Sequence, residues 1–173
     1  LLHVEVLPVI GTSLDNVDTD RLDFYLRSII KDPEIPATDS EWTERLLGLG
    51  LMAKDGMGNV ACSVAGLLCF GITPRRFLRQ SGLRVTAFAG EGKEYQALLD
   101  VALDAPLVGR WRLTDSGQKQ LVDEGLIEKF ASTIQPFITR EASEIDENMR
   151  REKSWLYPWE AVRETVINAL AHR

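Results

Sequence analysis

Nine consecutive residues, Ser63-Val64-Ala65-Gly66-Leu67-Leu68-Cys69-Phe70-Gly71, are small or apolar on nearly every side of the helix they predict. A helix with no polar face has to be covered all round, so the segments before and after it must supply the covering. Gly66 and Gly71 suit close packing better than ligand contact. No Gly-Lys-Ser or Gly-Lys-Thr comes after them, so the stretch is not a phosphate loop.

The flanking segments carry strong local signals. Asp18 or Thr19 can cap a helix whose apolar positions are Leu22, Tyr25, Leu26, Ile29 and Ile30, and Pro33 and Pro36 end it. Thr38-x-x-Glu41 is a capping box ahead of Trp42, Leu46 and Leu47, with Gly48 or Gly50 as the stop. Lys54-Asp55-Gly56-Met57-Gly58 reads as the tip of a hairpin between residues 51–53 and 59–61. Two helices and a hairpin admit a winged helix. Against a DNA-reading wing, residues 39–49 carry Asp39, Glu41 and Glu44 and a single cation, Arg45, which phosphates would repel. The one basic cluster, Pro74-Arg75-Arg76-Phe77-Leu78-Arg79, has no interleaved aromatic stack and reads as a solvated edge.

Further on, residues 83–88 alternate as a strand, and Tyr95, Ala97, Leu99, Val101 and Leu103 alternate as an antiparallel partner. Residues 106–113 read as extended with Trp111 half-buried, and Asp115-Ser116-Gly117 as a turn. Ile127, Phe130, Ile134, Phe137 and Ile138 mark a long helix packed on the sheet. Residues 139–156 are dominated by charge and read as a solvated connector. Asp146-Glu147 superficially resembles a helicase acidic box, but without a phosphate loop it implies no helicase motor. The expected fold is α+β, a mostly antiparallel sheet covered by four to five helices, with residues 1–15 as a tail or linker, 16–138 as a middle domain, 139–156 as connector and 157–173 as a last helix.

At 173 residues the chain can hold one domain with a sizeable core and parts of its neighbours. The lack of an initiator Met and the abrupt ends read as a piece of a longer protein. No signal peptide or membrane-length apolar run is present, so a soluble protein with no membrane partner is expected. A net charge of -6 speaks against a large nonspecific DNA surface. Cys62 and Cys69, in apolar surroundings, read as buried free thiols of a cytoplasmic protein rather than zinc ligands. His3 and His172 are too few and too separated for a metal cluster.

The last helix carries the chemistry. Pro158 suits a helix start, and a spacing of four places Glu160, Glu164, Asn168 and His172 on one stripe, opposite Trp159, Val162, Val166, Ala169 and Leu170. A carboxylate and a carboxamide one turn apart can divide labour: Glu164 can orient or deprotonate a water, and the Asn168 oxygen can bind a hard cation such as magnesium.

Glu164-x-x-x-Asn168-Ala169-x-x-His172-Arg173, preceded by Tyr157-Pro158, resembles the first ATP-site motif of the ATPases shared by gyrase, the Hsp90 chaperones, histidine kinases and the MutL proteins, the GHKL type. More closely, the stretch resembles the start of that module in a family of prokaryotic transcriptional regulators often described as RecG-like, ATP-dependent DNA helicase-related proteins. Residues 63–71 resemble the same family's middle segment, usually Thr or Ser followed by Ala-Gly-Leu-Leu-Leu-Phe-Gly. In that family an AlbA-like, Schlafen-type DNA-binding domain comes first and the ATPase-like module last.

The resemblance implies Asn168 as magnesium ligand, Glu164 as general base, and His172 and Arg173 as part of the cofactor site. It also implies ATP and magnesium as cofactors of the longer protein, with DNA bound through its upstream domain. The family's adenine-contacting Asp loop and glycine-rich phosphate segments come after the His-Arg pair, so no nucleotide affinity is expected of this stretch alone. The contrasting expectation is a structural or homo-oligomerising domain in which Glu164 and Asn168 merely solvate a helix.

Overall fold

The computed structural model describes residues 3–90, 96–145 and 151–171. Its described residues form six α-helices and four two-stranded antiparallel ribbons, an α+β fold. The expected single sheet is not what forms among them: each hairpin pairs only with itself. The chain divides into two compact units, Leu1–Gly82 with Asp104–Leu126, and Leu83–Leu103 with Ile127–Arg173. Residues 83–103 and 127–138, expected within a 16–138 domain, therefore belong to the second unit.

In the first unit, Asp18 caps α1 (Thr19–Tyr25) by accepting the Arg21 N–H, and Leu22 and Leu26 are fully buried. The helix then widens into a π turn over Leu26–Ile30 and stops at Lys31, whose φ is 60°. A wider turn shifts the phase of the residues after it. Ile29 and Ile30, expected on the buried stripe, are exposed instead.

The capping box forms at α2 (Asp39–Gly48): Thr38 Oγ1 accepts the Glu41 N–H, and the Glu41 carboxylate accepts the Thr38 N–H at 3.2 Å and the Ala37 N–H at 2.7 Å. The helix closes with Leu51 N–H on the Leu46 carbonyl and Gly50 N–H on that of Leu47, with Gly50 at φ 71°. That pairing satisfies the last carbonyls, and glycine adopts the left-handed step without penalty. The same hydrogen bonds hold the Glu41 carboxyl below its ordinary value of 4.5. A depressed pKa stabilises the fold above the unfolded value, and that contribution fades as pH falls through the folded one. In urea titrations the advantage of the wild type over Glu41→Gln is therefore expected to be full at pH 7, to shrink as pH falls below the unfolded value of about 4.3, and to be lost once pH passes below the folded value.

Ribbon β1–β2 (Met52–Lys54, Val60–Cys62) pairs Met52 with Cys62 and Lys54 with Val60. It leads directly into α3 (Val64–Phe70), capped by Ser63, whose hydroxyl accepts the Gly66 N–H and donates to the Gly50 carbonyl. Residues 7–9 run alongside, with Val9 N–H on the Cys62 carbonyl and Val64 N–H on that of Leu7. The buried core joins α1, α2 and α3 through Leu22, Leu26, Trp42, Leu46, Leu67 and Phe70. The helix without a polar face is thus buried on its Gly66, Leu67 and Phe70 side, whereas Val64, Ala65, Leu68 and Cys69, on the other, are half-buried rather than fully covered.

Two short elements complete this unit: α4 (Pro74–Phe77) and ribbon β5–β6 (Arg110–Leu113, Lys119–Asp123), turned at Gly117 with φ 76°. Arg21, only 3% exposed, ties the ribbon to α1. Its Nε donates to Asp18 at 2.9 Å, Nη1 to the Val108 carbonyl at 2.7 Å and Nη2 to Asp123.

The second unit holds ribbon β3–β4 (Leu83–Ala87, Leu99–Leu103), helix α5 (Leu126–Ile138, whose first residue belongs to the first unit), ribbon β7–β8 (Thr139–Ile145, Arg151–Trp155) and helix α6 (Trp159–Ala171). Along β4, Leu99, Val101 and Leu103 take the more buried side, as the alternation predicts. Tyr95 lies outside the described residues, and Ala97 precedes the strand. Within the segment expected as a charged, solvated connector the chain forms a hairpin, with Thr139 opposite Trp155 and Glu141 opposite Lys153. Asp146 and Glu147 lie outside the described residues.

Candidate functional site

Helix α6 begins where Pro158 implies: the Pro158 carbonyl accepts the N–H groups of Ala161 and Val162 at 3.1 and 3.2 Å. Proline has no N–H to lose at a helix start, and its fixed φ suits the first turn. The Leu156 N–H, on the Ile138 carbonyl at 2.8 Å, closes the preceding hairpin onto the end of α5. Trp155 and Trp159 stack with ring centroids 5.1 Å apart.

Val166 and Leu170 are buried, and Val162 and Ile167 half-buried, whereas Glu160, Glu164 and Asn168 are exposed on one stripe. Ala169, expected on the covered side, is exposed, because it sits at the margin between the two faces. His172 and Arg173 lie outside the described residues.

One exposed carboxylate and one exposed carboxamide a turn apart do not make a metal cage. Among the described residues no group of three or more His, Cys, Asp or Glu could hold an ion. The donor chemistry does fit a magnesium ion shared with phosphates, since magnesium bound to nucleotides takes only one or two protein oxygens and fills its octahedron with phosphate and water. The Asn168 oxygen is such a donor.

The cysteines take no part in this chemistry. Cys62 is fully buried, its N–H on Thr12 Oγ1 at 2.9 Å and its Sγ against the Ser13 carbonyl at 3.0 Å. Burial pushes the Cys62 thiol up and that of Cys69 up to about 11, far from the thiolate form a nucleophile requires. On α2 the single cation, Arg45, is engaged by Asp32. No helix among the described residues is long and apolar enough to cross a membrane.

The sequence signals did not single out a concave feature formed by α1 and ribbon β5–β6, lined in part by Arg110, Trp111 and Arg112. The Arg-Trp-Arg run, cations with an aromatic between them, was the local signal for it.

Comparisons with protein-family models, curated proteins and solved structures gave no match for this chain.

Proposed function

We propose that this chain is the connecting part of an ATP-binding, DNA-linked transcriptional regulator of the RecG-like, helicase-related type. In this reading α6 brings Glu164 and Asn168 to a magnesium-nucleotide site completed by further segments of the longer protein. The observation that supports it is the rotation of α6, which turns the whole Glu160, Glu164, Asn168 stripe to solvent while Val166 and Leu170 anchor the other side. An open stripe leaves both polar heads available to a ligand.

Asn168 would hold magnesium through its side-chain oxygen, and the bound ion would neutralise phosphate charge. Glu164, one turn earlier, orients a water and accepts its proton. Nucleotide binding then repositions the DNA-binding part through a coupling of roughly 1–3 kcal/mol.

Magnesium-ATP titration of the longer protein tests this. Wild type is expected to bind, Asn168→Ala to lose binding, and Glu164→Ala to bind without turnover. Equal binding by all three, or by none, overturns the reading. The exposed Leu156 and Tyr157 beside α6, 42% and 60% accessible, favour the alternative of a structural or self-associating domain, which predicts that Asn168→Ala changes nothing.

A further inference from the structure

We propose that the cleft between α1 and ribbon β5–β6 binds a small organic anion with an apolar, ring-sized body. The proposal rests on neither Glu164 nor Asn168. The cavity has a volume of about 460 Å³, within the range that holds one small molecule. Phe24 and Trp111, both half-buried, and Leu113 and Val122, 55% and 46% exposed, give it an apolar lining. Four apolar residues lining one concavity favour a ligand with an apolar body.

Charge supplies the second requirement. Two carboxylates line the cleft, Asp20 and Asp23, against three guanidinium groups, Arg27, Arg110 and Arg112. Asp23 is paired with Arg27, whose Nε lies 2.9 Å from both of its oxygens. Asp20, 77% exposed, meets Arg110 Nη1 at 3.3 Å, a long bond in open solvent. Arg112 donates its Nε to the neutral Gln120 oxygen at 2.8 Å and has no carboxylate partner among the described residues. Lys119, outside the lining, places a further cation near Phe24, its Nζ 6.0 Å from the ring centroid. An excess of cations thus faces the cleft on a chain of net charge -6.

Unmet hydrogen-bonding groups supply the third. Among the described residues Arg110 Nε and Ser28 Oγ are buried without a partner, and both residues line this cleft. Buried donors are nearly always satisfied, so two orphans beside one cavity ask for an acceptor. A rotation at the end of the Arg110 side chain turns its Nε–Nη edge outward, and that edge matches the two oxygens of a carboxylate or phosphate. Ser28 can donate to the same group. The anionic head thus sits at Arg110 and Arg112, and the apolar body lies over Phe24 and Trp111.

The test is an NMR titration of the full 173-residue chain with benzyl phosphate, phenylacetate and the neutral benzyl alcohol. Both anions are expected to shift the Trp111 indole N–H and the Arg110 Nε–H saturably, with benzyl alcohol weaker by roughly tenfold or more, since hydrogen bonds to charged groups are worth that much. Arg110→Gln and Arg112→Gln should each weaken the anions by roughly tenfold, and Ser28→Ala by a smaller factor. If Arg110→Gln fails to fold, Arg112→Gln and Ser28→Ala carry the test. The proposal is overturned if no probe saturates, if benzyl alcohol binds as well as the anions, or if the folded variants bind like wild type.

Discussion

Arg21→Met is expected to lower the unfolding free energy of the first unit by about 3 kcal/mol, because removing one member of a buried ionic network strands the others. Methionine fills much of the same space, so the loss reports the guanidinium rather than a cavity. Three acceptors are left behind: the Asp18 carboxylate, the Val108 carbonyl and the Asp123 carboxylate. Asp18 is the costliest, since its side chain is 19% exposed against 52% for Asp123. Adding Asp18→Asn to Arg21→Met should recover part of the loss, because asparagine removes the stranded charge yet still caps α1. Arg27→Met is the contrast, since its pair with Asp23 is solvated and screened, and its stability should stay close to wild type. Urea unfolding of the four proteins checks the set. Equal stability of Arg21→Met and Arg27→Met would mean that α1 is held to the β5–β6 ribbon by packing alone.

The Arg21 network also marks the limit of what the sequence could reveal. Capping at Asp18 and Thr38, the hairpin tip at Asp55 and the stop at Gly50 involve groups a few residues apart, so the local pattern carries them. Arg21 and Asp123 are joined only by the fold, and nothing near either announces the other. Strand β6 escaped notice for a related reason: Lys119, Gln120, Val122 and Asp123 are exposed and only Leu121 is half-buried. A ribbon so exposed lacks the period-two apolar signal. The charged run that became β7–β8 likewise carries no period-two apolar signal. The π turn after Leu26 is set by packing, and no residue type marks it.

The candidate sites divide along the same line. Helical period alone places Glu164 and Asn168 on one stripe of α6, and the structure turns that stripe to solvent. The anion cleft instead combines Phe24 and Ser28 with Arg110 and Trp111, more than eighty positions away. Only the Arg-Trp-Arg run was visible locally.

Gly66→Ala is expected to destabilise the first unit by about 3 kcal/mol, the upper part of the range for overpacking a tight core. Alanine usually improves a helix over glycine by roughly 0.5–1 kcal/mol, so the sign depends on what the new methyl group meets. At Gly66 it would overlap the Leu51 carbonyl oxygen, with the Leu51 carbonyl carbon 2.9 Å away. Backbone cannot swing aside as a side-chain end can. The Leu51 carbonyl also accepts the Ser63 N–H at 3.0 Å, and Leu51 N–H closes α2 on the Leu46 carbonyl, so displacing it disturbs the cap of α3 and the end of α2 together. Gly48→Ala supplies the opposite sign: among the described residues nothing lies within 4 Å of its would-be Cβ, and it ends α2 without a positive φ. That variant should gain roughly 0.5 kcal/mol through lost freedom in the unfolded chain. Opposite shifts in the urea midpoint for the two variants would establish that the apolar helix packs with its backbone against residue 51. A Gly66→Ala protein as stable as Gly48→Ala would place α3 farther from that strand than its glycine implies.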